Sequence, residues 1–443
     1  MRPLEHPSLK KHLRSTVRAA LVGTAALAFV GGAPAWAGEL DELKAQIEAL
    51  RLKVEELEAK QAETAKEAKE AKEAAERQPL AAPQRVVTSG KDDVKLTLSG
   101  QVNRVSFFGD DGTESNFFHS DNENSSTRWR LVGSGRIDDE WSVGTLIEQD
   151  IGQTNNSSAV KIDQDSSVSD VSFDNRHLTA WLDSKRFGRL WLGKGNTASN
   201  NITQIDLSGT TVIEYSGLED IGGGLEFRTD GAPAPDGPKV SGGSDAVGSG
   251  VYSQFDGLSR RNRIEYDTPT LMGFKAGFSH SQGDAWDATL RHSANFEQVG
   301  LKLAAGFGYW EYGSRTDVAD SAFGGSISVL HDSGANLTFS GGTFDREAET
   351  ATKSDDPFGI FIKPGWQLKL TPLGKTAVSG HYARADDMQR DGDEFTSWGF
   401  AAVQHIDRAA LELFGFFRQY DLDRPGTDFE AINLAGFGAR VKF

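Results

Sequence analysis

The spacing of apolar residues changes once along the chain. From Leu40 they fall three and four apart, at Leu40, Leu43, Ile47, Leu50, Val54 and Leu57. The register runs on through Gln61, Thr64, Ala68, Ala71 and Ala75, in a Glu/Lys/Ala-rich setting. This is a heptad seam with charged flanks. It predicts a self-associating coiled coil over residues 38–77, because a lone helix would leave the seam in water. Pro79 and Pro83 stop the helix, and residues 78–93 read as a linker. From Val94 the period becomes two. In the last segment Ala435, Phe437, Ala439, Val441 and Phe443 share one face, and Gly436, Gly438, Arg440 and Lys442 share the other.

Segments with this alternation, each about ten residues long, recur from Val94 to Phe443. Between them lie short turns such as Asp332 to Gly334 and Ile406 to Arg408. Longer acidic connections, such as Asp345 to Asp356 and Asp386 to Asp393, alternate with the short ones. An apolar face toward lipid, a polar or small face toward a lumen, and short turns on one rim only are the pattern of a transmembrane β-barrel. Parity sets the count. Counting inward from both ends leaves one outer connection between Lys194 and Ser259, so the strand-like piece Leu225 to Arg228 belongs to that loop. The expected fold is all-β, a 16-stranded antiparallel barrel over 94–443 preceded by the coiled coil. A loop as long as 194–259 is usually functional, and a lumen of this size needs partial filling.

Composition refines this. Residues 1–37 read as a signal peptide: Arg2, Lys10, Lys11, Arg14 and Arg18, then the apolar Ala19 to Val30, then Ala35-Trp36-Ala37. There is no cysteine, so disulfides, thiolate metal sites and a cysteine nucleophile are excluded. A formal charge of -17 argues against nucleic acid as a partner. Gly188 to Gly195 approaches a phosphate loop, but Gly195 replaces the Ser/Thr that binds magnesium. Asp163-Gln164-Asp165 lacks the glycine and final Glu of a calcium loop. His280-Ser281 comes without a nucleophile elbow. No catalytic residue, metal site or cofactor is expected.

Several stretches in order resemble the Gram-negative general porins. Ser125 to Leu131, Gly133-Ser134-Gly135, Trp141 to Gly144 and Glu148 resemble their second and third strands. Phe187 to Gly193 resembles the strand leading into the constriction loop, and Arg263 to Pro269 with Gly273-Phe274 the strand and turn after it. A chain ending on Phe443 resembles the C-terminal insertion signal of outer-membrane proteins. Coiled coil plus barrel is similar to the DcaP-like porins, which are trimers with a periplasmic helical extension. The heptads alone lean toward a dimer, so the trimer rests on the resemblance. The Gly/Pro/Ser-rich stretch 231–250 departs from the simple porin loop.

The resemblance implies an outer-membrane porin for passive diffusion of small hydrophilic solutes through a charged eyelet, with the coiled coil in the periplasm. Charge facing lipid costs ~2–4 kcal/mol at the midplane, so Arg128, Arg130, Arg136, Arg261 and Arg263 are expected to line the lumen. In the family the long loop folds inward and its acids face a basic wall; here they are Asp206, Glu214, Glu219 and Asp220. The arginines favour anions such as carboxylates, while the sign of ion selectivity stays open. Other partners are outer-membrane lipid and lipopolysaccharide; outer-loop acids such as Asp110, Asp111, Asp121, Glu123, Asp163 and Asp165 either tie lipopolysaccharide through divalent ions or are merely solvated. The alternatives are a plugged barrel tethering the envelope, through coiled-coil contact with peptidoglycan, and an outer-membrane hydrolase.

Overall fold

The structure, a computed structural model, describes residues 85–88, 94–153, 156–162, 171–229, 237–241, 250–314, 319–346 and 357–443. The signal peptide and the seam positions Leu40, Leu43, Ile47, Leu50, Val54 and Leu57 lie outside these.

Sixteen antiparallel strands close into a barrel. They are β1 Val94–Asp110, β2 Arg128–Arg136, β3 Trp141–Gln153, β4 Val171–Ser184, β5 Gly188–Asn196, β6 Arg260–Asp267, β7 Phe274–Ser281 and β8 Ala285–Phe296. Then follow β9 Leu301–Glu311, β10 Ser321–His331, β11 Ala335–Asp345, β12 Phe358–Thr371, β13 Gly374–Asp386, β14 Glu394–Ile406, β15 Leu411–Arg424 and β16 Ile432–Lys442. Each pairs with the next, and β16 returns to β1 from Asn433↔Asp110 to Lys442↔Gln101. Closure leaves no unpaired edge, which lipid could not hydrogen-bond. Three short strands extend the wall. Ser115–Asp121 folds back on the upper half of β1, and Thr427–Asp428 pairs with the end of β15. Arg85–Thr88, inside the expected linker, pairs with Lys95 to Leu98 of β1, next to where the Phe443 amide and carbonyl bond Gly100.

The period-two pattern sorts side chains as expected of a wall in lipid. Leu190, Leu192, Ile264, Phe307, Phe400 and Phe437 are exposed on the outer face. Exposed aromatics Phe187, Phe274, Trp366 and Phe443 stand near the short-turn rim, and Tyr309, Tyr382 and Trp398 toward the other, as interfacial girdles do.

The inner face divides into sectors. Charged side chains line β2 to β7, whereas much of β9 to β16 is small or apolar. Against that second sector lies the connection 197–259, folded into the lumen. Its Ile202, Ile213, Leu218, Leu225 and Phe255 join one buried cluster with wall residues such as Phe107, Trp310, Phe361, Phe395 and Leu434. Burying each such side chain stabilises the docked loop by roughly 1.5–3 kcal/mol relative to water. Glycines make room for it. A Cβ on Gly342 would come within 2.6 Å of the Phe255 ring, and one on Gly359 within 2.7 Å. The piece around Leu225 to Arg228 forms only bridges, Glu226↔Lys239 and Thr229↔Phe429, and adds no wall strand.

Candidate functional site

Polar wall side chains fix the loop's backbone. Arg418 of β15 donates to the carbonyls of Leu218 at 2.8 Å and Ile213 at 3.0 Å. The Tyr420 hydroxyl also bonds the Leu218 carbonyl, at 2.6 Å. Arg291 of β8 holds Asn200 O at 2.8 Å, and Gln367 of β12 holds Leu207 O at 2.6 Å. Lys363 of β12 is fully buried, donates to Glu214 O at 2.6 Å and pairs with Asp206. The Glu214 carboxylate accepts from His381 Nδ1 at 2.8 Å and from the Ser379 hydroxyl. Two of the four expected loop acids, Asp206 and Glu214, are thus turned onto the wall. Burial pushes the Glu214 carboxyl up, but the His381 hydrogen bond and the neighbouring positive charges outweigh it and hold it below its ordinary range.

Ser397, His381 and Glu214 repeat the hydrogen-bond order of a hydrolase triad, with Ser397 Oγ 3.1 Å from His381 Nε2. Ser397 is 0% exposed, so no ester carbonyl can reach its hydroxyl. The group ties the loop to the wall.

The other two acids, Glu219 and Asp220, sit on the single-turn helix Leu218–Asp220. The Tyr215 hydroxyl donates to Asp220, and Glu219 accepts the Gln254 amide at 3.3 Å. Two further acids join them. Asp256 accepts the Asn201 amide at 2.7 Å, and Glu123 accepts from Asn156 Nδ2 at 2.8 Å. Glu123, expected on an outer loop, is brought inward because the chain leaves the wall between Asp121 and Arg128. There Asn122 is fully buried and donates to Val212 O of the loop at 2.9 Å. Burial pushes these carboxyls up, and mutual repulsion adds to it. Glu123 reaches about 8, Asp256 about 7 and Asp220 about 6, while Glu219 is raised well above its usual range.

A cluster of guanidinium groups stands near these acids. Arg130 of β2 donates to Glu148 of β3 at 2.6 Å. Arg176 of β4 donates to Glu148 at 2.8 Å and to Asp150 at 3.2 Å. Arg128 bonds Ser125 Oγ at 2.7 Å and lies 3.9 Å from Glu148. Arg260 of β6 adds a fourth charge, its Nε buried without a hydrogen-bond partner. The acids Glu123, Asp220 and Asp256 are close enough to Arg176 or Arg260 to feel them, but make no direct ion pair with them. Four cations therefore meet two wall carboxylates, and a field runs from this wall toward the loop acids.

Of the five expected arginines, Arg128 and Arg130 are in this cluster. Arg261 bonds Leu258 O at 3.1 Å. Arg263 is buried against Asn196 O at 2.6 Å and Glu265 at 2.8 Å, and so pins adjacent strands. Arg136 is exposed at the short-turn end of β2. Arg176 and Arg260 take the places that alternation did not assign.

A barrel with an inward loop and a charged constriction is an architecture for letting water and small solutes through. The sequence profile of the Gram-negative porin family matches residues 74–425. The chain belongs to the Gram-negative porins. It is an outer-membrane channel for passive solute diffusion. Solved porins share the fold at low identity. An anion-selective porin from Comamonas acidovorans is 17% identical, with 79% of this chain and 100% of that chain covered and a TM-score of 0.52. In-vitro folded OmpT of Vibrio cholerae is 14% identical, covering 80% and 99%, at 0.51. The outer membrane channel DcaP of Acinetobacter baumannii is 11% identical, covering 81% and 100%, at 0.50. No curated protein sequence matches.

Proposed function

We propose that this porin passes small hydrophilic anions through an eyelet whose basic wall is Arg128, Arg130, Arg176 and Arg260. Its opposite side is Glu123, Glu219, Asp220 and Asp256. The observation that carries the reading is the charge balance: four guanidinium groups against Glu148 and Asp150, facing acids that burial keeps partly protonated at neutral pH. The barrel from Comamonas acidovorans with the same fold is anion-selective. The test is single-channel conductance and reversal potential in a planar bilayer under a salt gradient. A potential of the sign set by anion flow supports the reading. A cation-selective potential overturns it.

A trimer is part of this proposal. The outer face of β1 and the strand Ser115–Asp121 breaks the apolar rule: Arg104 is exposed there, and Ser106 bonds His119 at 2.8 Å. On β3 and β4, Gln149 bonds Asn175 at 3.2 Å, again on exposed side chains. Polar groups at membrane depth are costly in lipid, so this sector favours contact with another copy. The heptads of residues 38–77 would extend the assembly into the periplasm, and contact with lipopolysaccharide and peptidoglycan belongs to the same proposal. Crosslinking and native mass should give three copies; a monomer that conducts would remove the trimer and keep the channel.

A further inference from the structure

The constriction arginines are not the only basic group in the lumen. Near the short-turn rim, on the far side of the inward loop's attachment, inward side chains of adjacent strands form a row. His405 of β14 lies opposite Glu412 of β15, and Glu412 opposite Arg440 of β16. Lys375 of β13 stands beside His405, one step beyond the paired Thr376 and Gln404. Lys442 is two residues from Arg440, on the same face.

The row is short of negative charge. Glu412 accepts Arg440 Nε at 2.5 Å and Lys442 Nζ at 3.0 Å, and lies 3.5 Å from His405 Nδ1. Its two oxygens are thereby taken. Lys375 has no carboxylate within ion-pairing distance among the described residues, and its Nζ would stand 3.2 Å from a Cβ on Gly209 of the loop. Lys302 of β9, exposed and also without an ion-pair partner, is near enough to repel Lys375. The groups facing Lys375 are thus Glu412, Asp407 of the β14–β15 turn, Lys302 and, beside it, His405, whose Nε2 lies 3.0 Å from Gly209 O. Two carboxylates answer four basic side chains, Lys302, Lys375, Arg440 and Lys442.

We propose that Lys302, Lys375, Arg440 and Lys442 form a second anion station at the periplasmic end of the lumen, recruiting oxyanions that carry several charges. This rests on the channel reading above. Like charges gathered at one rim of the lumen concentrate counter-ions there, and the gain grows with the charge of the ion. The station sits at one end of the pore only, so it makes the channel's two entrances unequal toward polyanions.

Tripolyphosphate is the probe, added to one side of a bilayer holding single channels of the full-length protein. Block of the chloride current should be roughly tenfold stronger from one side than the other at low salt, and the asymmetry should shrink toward unity at high salt. Lys302→Gln, at an exposed position with no ion pair among the described residues, should reduce the asymmetry, and Lys302→Gln with Lys375→Gln should abolish it while the open-channel conductance persists. Arg260→Gln should weaken block from both sides. Equal block from both sides in the unmodified protein, or asymmetry untouched in a conducting double variant, would overturn the station and leave the channel reading intact. Inserted protein that carries no current would overturn both.

Discussion

Arg176 Nε lies 2.8 Å from Glu148 Oε1, although strand alternation assigns Arg176 to the lipid side with Leu178, Ala180 and Leu182. A register shift between Glu148 and Gln149 turns it inward: Glu148 pairs with His177 and Gln149 with Asn175, so Arg176 is the extra residue. Bulges re-aim side chains in this way beside functional sites. Glu148 also holds Arg130 at 2.6 Å and is 1% exposed.

The first prediction follows from that hub. Glu148→Gln removes the charge on which three guanidinium groups converge. Breaking a buried ionic group costs ~3–5 kcal/mol, and lumen water should lower the figure toward the bottom of that range. The urea midpoint of the folded barrel in micelles should fall. In bilayers the surviving pores should become more anion-selective, since the basic wall loses half of its counter-charge. Unchanged selectivity with unchanged stability would show that Glu148 does not set the field.

The barrel was legible in the sequence and the eyelet only partly so, for physical reasons. Sixteen strands and the long connection between Lys194 and Ser259 follow from alternation because the lipid face tolerates few exceptions, whereas the inward fold of that loop came from the family resemblance. Arg176 was hidden by a bulge. Arg260 was hidden because, as the first residue of β6, it shares the parity of Ile264 and Tyr266 on the exposed face. Glu123 was hidden because nothing local marks the inward dip between Asp121 and Arg128. Asp206 and Glu214 carry the same charge as Glu219 and Asp220. What separates them is Lys363 and His381, far along the chain, and pairing of that kind has no local signature.

Lys363 should act as the latch of the loop. It is buried among Asp206, Thr210 and the Glu214 carbonyl. Lys363→Met leaves the Asp206 carboxylate buried without its cation, at a cost of ~3–5 kcal/mol. The loop should loosen, seen as current noise and as faster protease cleavage within residues 197–259. Lys363→Met with Asp206→Asn should restore much of the quiet behaviour, because no uncompensated charge remains. If the double variant is as noisy as the single, the ion pair is not what holds the loop.

Packing gives a charge-free counterpart. Phe255 occupies the space above Gly342, where a Cβ would come within 2.6 Å of its ring. Gly342→Val must expel that ring, since the contact lies in the buried cluster with Phe344. Overpacking of this kind costs ~1–3 kcal/mol. Thermal stability should fall and conductance should change, with the constriction charges intact. Phe255→Ala combined with Gly342→Val should recover conductance but not the full stability, because the ring's burial is lost.

The acids opposite the arginines give the pore a pH response whose sign is fixed. Asp220, Asp256 and Glu123 have carboxyls raised to about 6, about 7 and about 8, in each case chiefly by burial. Below these values they are neutral and the arginines act alone. As pH rises through them, negative charge appears on the loop side and offsets the basic wall. Anion preference should therefore be greatest near pH 5 and decline across a broad span to pH 9, read as the reversal potential under a fixed salt gradient. The slope is assigned to these carboxyls on the loop side. Asp256→Asn with Glu123→Gln should flatten the upper part of the curve and keep the acidic-pH value, because those substitutions mimic the protonated forms. A preference that rises with pH would place the controlling charges elsewhere in the lumen.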